Sequence, residues 1–186
     1  MRWAALVRNV MVGREGLTRA VLLDALQRSG GARPESLLTT GNLRFDAASR
    51  EAPLVVGRLE ERLESILGRR ELVAARSQDS LLELLALDPF AGFSADEWEC
   101  EVAFLRHDAP AIRPASLGDS GRTVLLAVRT REVVAARPRT GGRRPHVNRL
   151  LEHATGRPAT ARGWSTLQRL AAPDRGVPPD GRGVRE

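Results

Sequence analysis

The chain has 186 residues, of which 42% are hydrophobic and 28% charged, as is usual for a globular protein. Its single cysteine excludes an intramolecular disulfide framework and a cysteine-based metal cage. All 29 basic residues are arginine, which excludes lysine nucleophiles, and the net charge is +6. No apolar run approaches the ~20 residues of a membrane helix, and Arg8 ends the first apolar run far short of a signal sequence. We therefore expect a cytoplasmic protein that does not associate with membranes.

The first 76 residues predict the element order β-α-β-β-α-β. Thr18 is a suitable N-cap for the first helix, which Gly30 stops. The second helix carries an apolar stripe at helical spacing and ends at Gly68. The predicted strands cover residues 3–8, 36–40, 43–46 and 72–76. This order is typical of a ferredoxin-like unit, an antiparallel sheet with helices on one face.

The rest of the chain predicts a second α+β unit. The predicted helices cover residues 77–87, 146–154 and 165–171, and the predicted strands cover residues 101–106, 122–129, 132–137 and 159–162. Three prolines and three glycines lie beyond residue 172, which indicates a disordered tail. We therefore divide the chain into a ferredoxin-like subdomain (1–76), a second α+β subdomain (77–172) and a tail (173–186).

Short motifs in a shared order resemble a known family. They cover residues 3–13, 39–45 (TTGNLRF), 87–90 (LDPF), 102–105 (VAFL) and 160–166 (TARGWST). Over about residues 2–171 this chain is similar to the domain-of-unknown-function family 1697. The resemblance implies an α+β fold of two ferredoxin-like subdomains with antiparallel sheets, and no established activity.

The chain departs from the family pattern at two positions. The family's first loop resembles Arg-Gly-Ile-Asn-Val-Gly-Gly, and Met11 stands here in place of its asparagine. The family's closing motif resembles Thr-Arg-Asn-Trp, and Gly163 stands in place of that asparagine. If the two asparagine side chains carry a family activity, we expect this member to lack it.

Two turns are candidate binding segments. Gly13 and Gly16 lie between a strand and a helix, where free backbone N–H groups at a helix start can hold a phosphate or carboxylate. Their spacing matches neither a P-loop nor a dinucleotide fingerprint, so ordinary loop glycines are the alternative. Asn42 follows Gly41 in a predicted tight turn, which either sets the hairpin register or lines a site.

Residues 137–149 contain five arginines and no acid. Two adjacent glycines and a predicted helix start favour anion binding there. Its candidate ligand-binding residues are Arg143, Arg144, His146 and Arg149. Alternatively, this segment faces residues 77–136, whose net charge is −5, within the folded protein.

Arg162 and Trp164 form another candidate pair, at a strand end and a helix start. An arginine can stack on an indole and face a ligand. The helical spacing of Leu167 and Leu170 after Trp164 favours the alternative, in which Trp164 covers the core. Cys100 lacks a base near it in the sequence, because His107 lies beyond the far end of the predicted strand. We therefore assign no catalytic residue, no metal site and no cofactor.

These patterns favour a non-catalytic module that binds an anionic ligand or partner through a groove lined by Arg143, Arg144, Arg149 and Arg162. The partner is a small molecule or a nucleic acid, although only Trp3 and Phe45 could stack on bases from the first sheet. Two alternatives remain open. One is an enzyme acting on a small carboxylate or phosphate metabolite, with the turn from Gly13 to Gly16 as its anion cradle and polar groups at Asn42, His146 and Arg162. The other is an oligomeric scaffold.

Overall fold

The structure is a computed structural model that describes residues 1–108, 123–129, 131–139 and 146–173. Its strands are β1 (Arg2–Val7), β2 (Ala32–Leu37), β3 (Asn42–Asp46), β4 (Val73–Ser77), β5 (Trp98–Phe104), β6 (Val124–Val128), β7 (Glu132–Pro138) and β8 (Thr160–Gly163). Its helices are α1 (Arg19–Arg28), α2 (Ala52–Leu67), α3 (Gln78–Ala86), α4 (Val147–Thr155) and α5 (Trp164–Ala171). Within these ranges, no helix combines the length and hydropathy that crossing a membrane requires.

The first sheet has the strand order β2-β3-β1-β4, with every neighbouring pair antiparallel. Helices α1 and α2 cover one face, where Leu22, Phe45 and Leu59 lie in one buried cluster. The Thr18 side chain accepts a hydrogen bond from the Val21 N–H at 3.2 Å, which confirms the predicted N-cap of α1. The arrangement confirms the predicted β-α-β-β-α-β order.

One predicted boundary in this sheet is wrong. β2 covers Ala32–Leu37 rather than residues 36–40, so the turn lies at residues 38–41 and Asn42 belongs to β3. Pro34 is typical of a loop, but β2 is an edge strand, where a residue without an N–H donor is tolerated. Asn42 is fully buried, so it is a polar residue of the core rather than an exposed turn residue.

The second sheet has the strand order β6-β7-β5-β8, which is the same connectivity as in the first sheet. Its neighbouring pairs are also antiparallel, and α4 covers one face, where Leu151 belongs to the same cluster as Val133. The two sheets confirm the predicted α+β class with two ferredoxin-like subdomains. The division after residue 76 stays a prediction, and residues 174–186 of the predicted tail lie outside the described ranges.

A shared hydrophobic cluster joins the two sheets. It combines Leu6 of β1 and Phe104 of β5 with Leu167 of α5 and residues of α3. Each sheet therefore buries both faces, one against its own helices and one in this shared cluster. Because removing apolar surface from water stabilises the folded state, the cluster holds the sheets together. A polar contact reinforces this junction, since Arg76 of β4 donates to the Leu105 carbonyl at 3.0 Å.

Candidate functional site

Arg162 of β8 connects the two sheets through a buried guanidinium. Its Nη2 donates to the Val7 carbonyl at 2.8 Å and to the Thr40 carbonyl at 3.0 Å, both from the first subdomain. Its Nε donates to the Asn42 side chain, and its Nη1 donates to Thr160 Oγ1 at 2.7 Å. The structure therefore brings two of the predicted site residues, Asn42 and Arg162, into direct contact.

Neutral oxygen atoms accept every hydrogen bond of this guanidinium in the described part of the chain. Nη1 also donates to the Ala161 carbonyl at 2.8 Å, so each N–H group of Arg162 has an acceptor. Burial lowers the pKa of Arg162 to about 10, which leaves the group charged at neutral pH. Because its donors are used inside the protein, Arg162 holds β8 against the first sheet.

Gly13 and Gly16 shape a turn that precedes α1. The Gly13 N–H donates to the Leu17 carbonyl at 2.9 Å, and the two glycines have positive φ angles of 94° and 74°. The Thr18 side chain accepts from the Val21 N–H, so one N–H group at this helix start already has a partner. The glycines therefore serve the backbone of this turn, and their use as an anion cradle stays a prediction.

The Arg-rich segment is described only in part. Arg143 and Arg144 lie outside the described residues, so their role stays a prediction. Arg137 forms an ion pair with Glu99, and an Arg139 nitrogen lies 3.5 Å from a Glu99 oxygen. These two arginines face the acidic middle of the chain, as the alternative interpretation expects. Part of the positive charge of this segment is therefore neutralised within the protein.

His146 and Trp164 line a cavity of about 470 Å³ beside the second sheet, which we call the aromatic cavity. His146 Nδ1 lies 2.8 Å from Glu101 Oε1. The Trp164 ring packs edge-to-face on Phe90, with centroids 4.9 Å apart. Arg149 is exposed on α4 and does not line this cavity. The predicted site residues His146 and Trp164 therefore line the same cavity, whereas Asn42 and Arg162 contact each other at a different place.

The polar groups of the aromatic cavity do not form an activated nucleophile or a metal site. Burial raises the pKa of the Cys100 thiol, which keeps it protonated at neutral pH. Ligand atoms of Glu99, Glu101 and His146 lie within 4.8 Å of one another. However, the Arg137 guanidinium pairs with Glu99 and lies 3.1 Å from His146 Nδ1. Because a cation already lies among these groups, they do not fit a metal ion.

A groove between the two sheets collects basic residues that the sequence analysis missed. Its volume is about 640 Å³, and we call it the inter-sheet groove. Its wall comes from the end of β1, from α2, from the segments that precede β4 and β8, and from the end of β5. Among the described residues, the charged and titratable ones that line this wall are Arg8, Glu60, Arg70, Glu71, Arg106, His107 and Arg157.

Three carboxylates hold two arginines of this groove in place. Arg106 forms an ion pair with Glu60, and burial lowers the pKa of Arg106. Arg8 lies 3.3 Å from Glu71 and 2.8 Å from Glu152 of α4. Glu60 and Glu71 are buried, and buried charges persist when they are paired. The carboxylates therefore orient Arg8 and Arg106 and neutralise much of their charge.

Arg70 and Arg157 leave positive charge in the groove uncompensated. Both are exposed, and within the described ranges neither forms an ion pair with an acidic side chain. Arg157 donates to the Asp108 carbonyl at 2.6 Å, and the exposed His107 lines the same groove. Guanidinium groups stay charged at any working pH and match the geometry of phosphate and carboxylate. The groove can therefore hold an anion.

The sequence analysis missed this site because its residues come from separate segments. A run of basic residues in the sequence points to residues 137–149, and none of the arginines that line the groove lies in that segment. One available signal was a basic residue at or just beyond the end of a predicted strand or helix. Arg8 and Arg106 are the last residues of two predicted strands, and Arg70 lies two residues after Gly68, which ends a predicted helix.

Both departures from the family pattern lie at positions with a local backbone role. Gly163 is the N-cap of α5, with φ −64° and ψ 150° and no side-chain hydrogen bond to the helix. The Met11 carbonyl accepts a hydrogen bond from the Arg14 N–H at 3.1 Å, which closes a turn. Asparagine is favoured at N-caps. The asparagine missing at Gly163 therefore has a structural explanation beside the functional one, and nothing in the structure explains the one missing at Met11.

Replacing Gly163 with asparagine is expected to raise the free energy of unfolding by about 0.5 kcal/mol, because its side chain can accept a hydrogen bond from the first turn of α5. A Cβ at Gly163 would meet only the Cys100 carbonyl oxygen, at 4.0 Å. Urea unfolding measures the change. Gly92→Asn is the control, since Gly92 has open space but caps no helix. A loss of stability in Gly163→Asn would contradict the capping role.

Comparison with known proteins agrees with this fold. No curated protein matches the chain. The fold is similar to that of the conserved bacterial protein SP0830 from Streptococcus pneumoniae, with a TM-score of 0.57 over 91% of this chain and 96% of that one. The two are 17% identical, so the likeness shows the fold alone. The family described as "Protein of unknown function (DUF1697)" matches residues 1–133, well over half of the chain. This match confirms the resemblance that the motifs indicated, and the chain belongs to the DUF1697 family.

Proposed function

We propose that this protein binds a small molecule through its phosphate or carboxylate groups in the inter-sheet groove, without catalysing a reaction on it. One observation carries the proposal: Arg70 and Arg157 line the same cavity, and neither has an acidic partner among the described residues. Two charge-assisted donors on one ligand give both affinity and orientation. Arg8 and Arg106 lie in the same wall and add to its positive potential.

The shape of the groove favours a small molecule over a nucleic acid. Its volume of about 640 Å³ is typical of small-molecule sites. A single-stranded nucleic acid needs an open, basic surface with exposed aromatic rings. Phe45, one of two aromatic residues on the first sheet, is fully buried and cannot stack on a base. Small phosphates and carboxylates are therefore the ligands to test first.

The positions of the residues that the enzyme hypothesis uses favour a non-catalytic function. That hypothesis places the turn from Gly13 to Gly16 at one site with Asn42, His146 and Arg162. Asn42 and Arg162 bind each other, whereas His146 lines the aromatic cavity. A polar group that already has its partner is a poor candidate for binding a reacting substrate. The inter-sheet groove supports anion binding without the need for these residues.

Removing the positive charges of Arg70 and Arg157 is expected to weaken anion binding in the inter-sheet groove. Isothermal titration with pyrophosphate, and with citrate as the carboxylate probe, measures Kd for the full chain at low salt. We expect the double variant Arg70→Ala/Arg157→Ala to bind at least about tenfold more weakly than the wild type. The reason is that hydrogen bonds to charged groups contribute roughly 1.5–3 kcal/mol each.

A charge-matched variant controls for general attraction between a basic protein and anions. Arg50→Ala/Arg58→Ala removes two exposed arginines that do not line the groove. We expect this control to keep the wild-type Kd. Equal weakening in both double variants would indicate non-specific attraction and contradict the proposal. Failure of both probes to bind the wild type at low salt would also contradict it.

A further inference from the structure

A smaller cavity of about 270 Å³ adjoins the inter-sheet groove, and we call it the apolar cavity. The two cavities share Arg106 and His107 in their walls, so they meet at these two side chains. Half of the residues that line the smaller cavity are apolar, and they include Trp3 of β1, Val56 of α2 and Ala75 of β4. A partly apolar cavity therefore lies beside the basic groove, with Arg106 and His107 between them.

The polar residues around the apolar cavity are basic or neutral. No acidic side chain from the described part of the chain lines it. Arg76 is buried and forms an ion pair with Glu132, and an Arg131 nitrogen lies 3.3 Å from an Asp108 oxygen. The cavity therefore offers no carboxylate to a cationic group. Its apolar wall suits an uncharged part of a ligand whose charge lies elsewhere.

We infer that the ligand of the inter-sheet groove is an anion that carries an aromatic ring. This inference rests on the proposed function. The phosphate or carboxylate group binds at Arg70 and Arg157, and the ring enters the apolar cavity. An anion without a ring leaves the apolar wall in contact with water, whereas a ring removes that surface from water.

Trp3 explains why a ring suits this cavity better than an alkyl chain. The indole is partly exposed, and its N–H donates to the Ala47 carbonyl at 3.3 Å, which fixes its orientation. A fixed aromatic face packs well against a second ring, in an offset or edge-to-face arrangement. Pro53 and Val56 of α2 also line the cavity and present further apolar surface to the ring.

Matched pairs of ligands test the inference. Isothermal titration compares phenyl phosphate with methyl phosphate, and phenylacetate with acetate, on the full chain. The two pairs also show whether phosphate or carboxylate is the preferred anion. We expect the aromatic member of the binding pair to have a Kd about tenfold lower, because the ring buries additional apolar surface.

Filling the apolar cavity is expected to abolish the tighter binding of the aromatic anion. Ala75→Leu and Ser80→Leu each place a larger side chain at its wall. Each variant is expected to bind phenyl phosphate no more tightly than methyl phosphate. Circular dichroism establishes whether each variant folds. If only one of the two variants folds, that variant alone is sufficient for the test. The Arg70→Ala/Arg157→Ala variant is expected to weaken the binding of both phosphates.

The outcomes separate this inference from the proposed function. If the aromatic and non-aromatic anions bind equally, the proposed function stands and the inference is overturned. If the filled variants keep the aromatic preference, the ring binds elsewhere and the inference is again overturned. If neither anion of either pair binds the wild type, the proposed function fails and the inference fails with it.

Discussion

Replacing Arg162 with methionine is expected to lower the free energy of unfolding by about 3 kcal/mol. Methionine keeps an apolar stem but removes every N–H donor of the side chain. The buried acceptors of Val7 and Asn42 and the partly buried carbonyl of Thr40 then lose this partner. An unsatisfied buried polar group costs roughly 1–3 kcal/mol. Removing a buried charge offsets part of that loss. Urea unfolding followed by circular dichroism measures the difference.

Arg162→Lys separates the effect of charge from that of geometry. Lysine keeps the positive charge, but its donors share one nitrogen and cannot reach acceptors on both sheets. We therefore expect a loss of stability comparable to that of the methionine variant. Arg149→Met is the control, because the Arg149 side chain is 67% exposed, and its effect should stay within about 0.5 kcal/mol. A lysine variant as stable as the wild type would show that the planar guanidinium is not required.

Replacing Gly41 with alanine is also expected to cost about 3 kcal/mol. Gly41 has a φ of 66°, where a Cβ costs roughly 1 kcal/mol. The new Cβ would lie 2.4 Å from Val10 Cγ2 and 3.0 Å from the Val7 carbonyl oxygen. Relieving these contacts requires the buried Val10 or the end of β1 to move, which adds roughly 1–3 kcal/mol. Urea unfolding measures the total.

Gly68→Ala provides a matched control for the backbone contribution. Gly68 has a φ of 67°, almost the same as Gly41, but no atom lies within 4 Å of its added Cβ. We expect this variant to lose only about 1 kcal/mol, the cost of the left-handed backbone. The difference between the two variants then measures the steric contribution at Gly41. Equal losses would mean that the turn yields to the added methyl group, contrary to the packing described.

The order of helices and strands was predictable from local patterns. Thr18 caps α1, and Gly68 ends α2, as expected from residue types that satisfy or terminate a helix. The apolar stripe of α2 identified the face that the first sheet covers. The error in β2 arose because Pro34 indicates a loop locally, whereas only the sheet shows that β2 is an edge strand.

The candidate site was far less predictable. Polarity and the family pattern predict Asn42 and Arg162 as ligand-binding residues, whereas in the structure they contact each other across 120 positions of the chain. Arg70 and Arg157 carried no local signal stronger than that of other surface arginines. They stand out only because the structure places them in one groove without an acidic neighbour among the described residues.

The amino-acid pattern alone was enough to predict the α+β class, the β-α-β-β-α-β order and the family. Helix caps, apolar stripes and short motifs depend on residues that are close together in the chain. The location of the groove, the burial of Arg162 and the pairing of Arg137 with Glu99 depended on how the two sheets pack. Non-local contacts set whether a charge is paired, buried or free, and no local pattern records them. For this reason the sequence does not show which of the 29 arginines are paired, buried or free, and the folded chain gives them different roles.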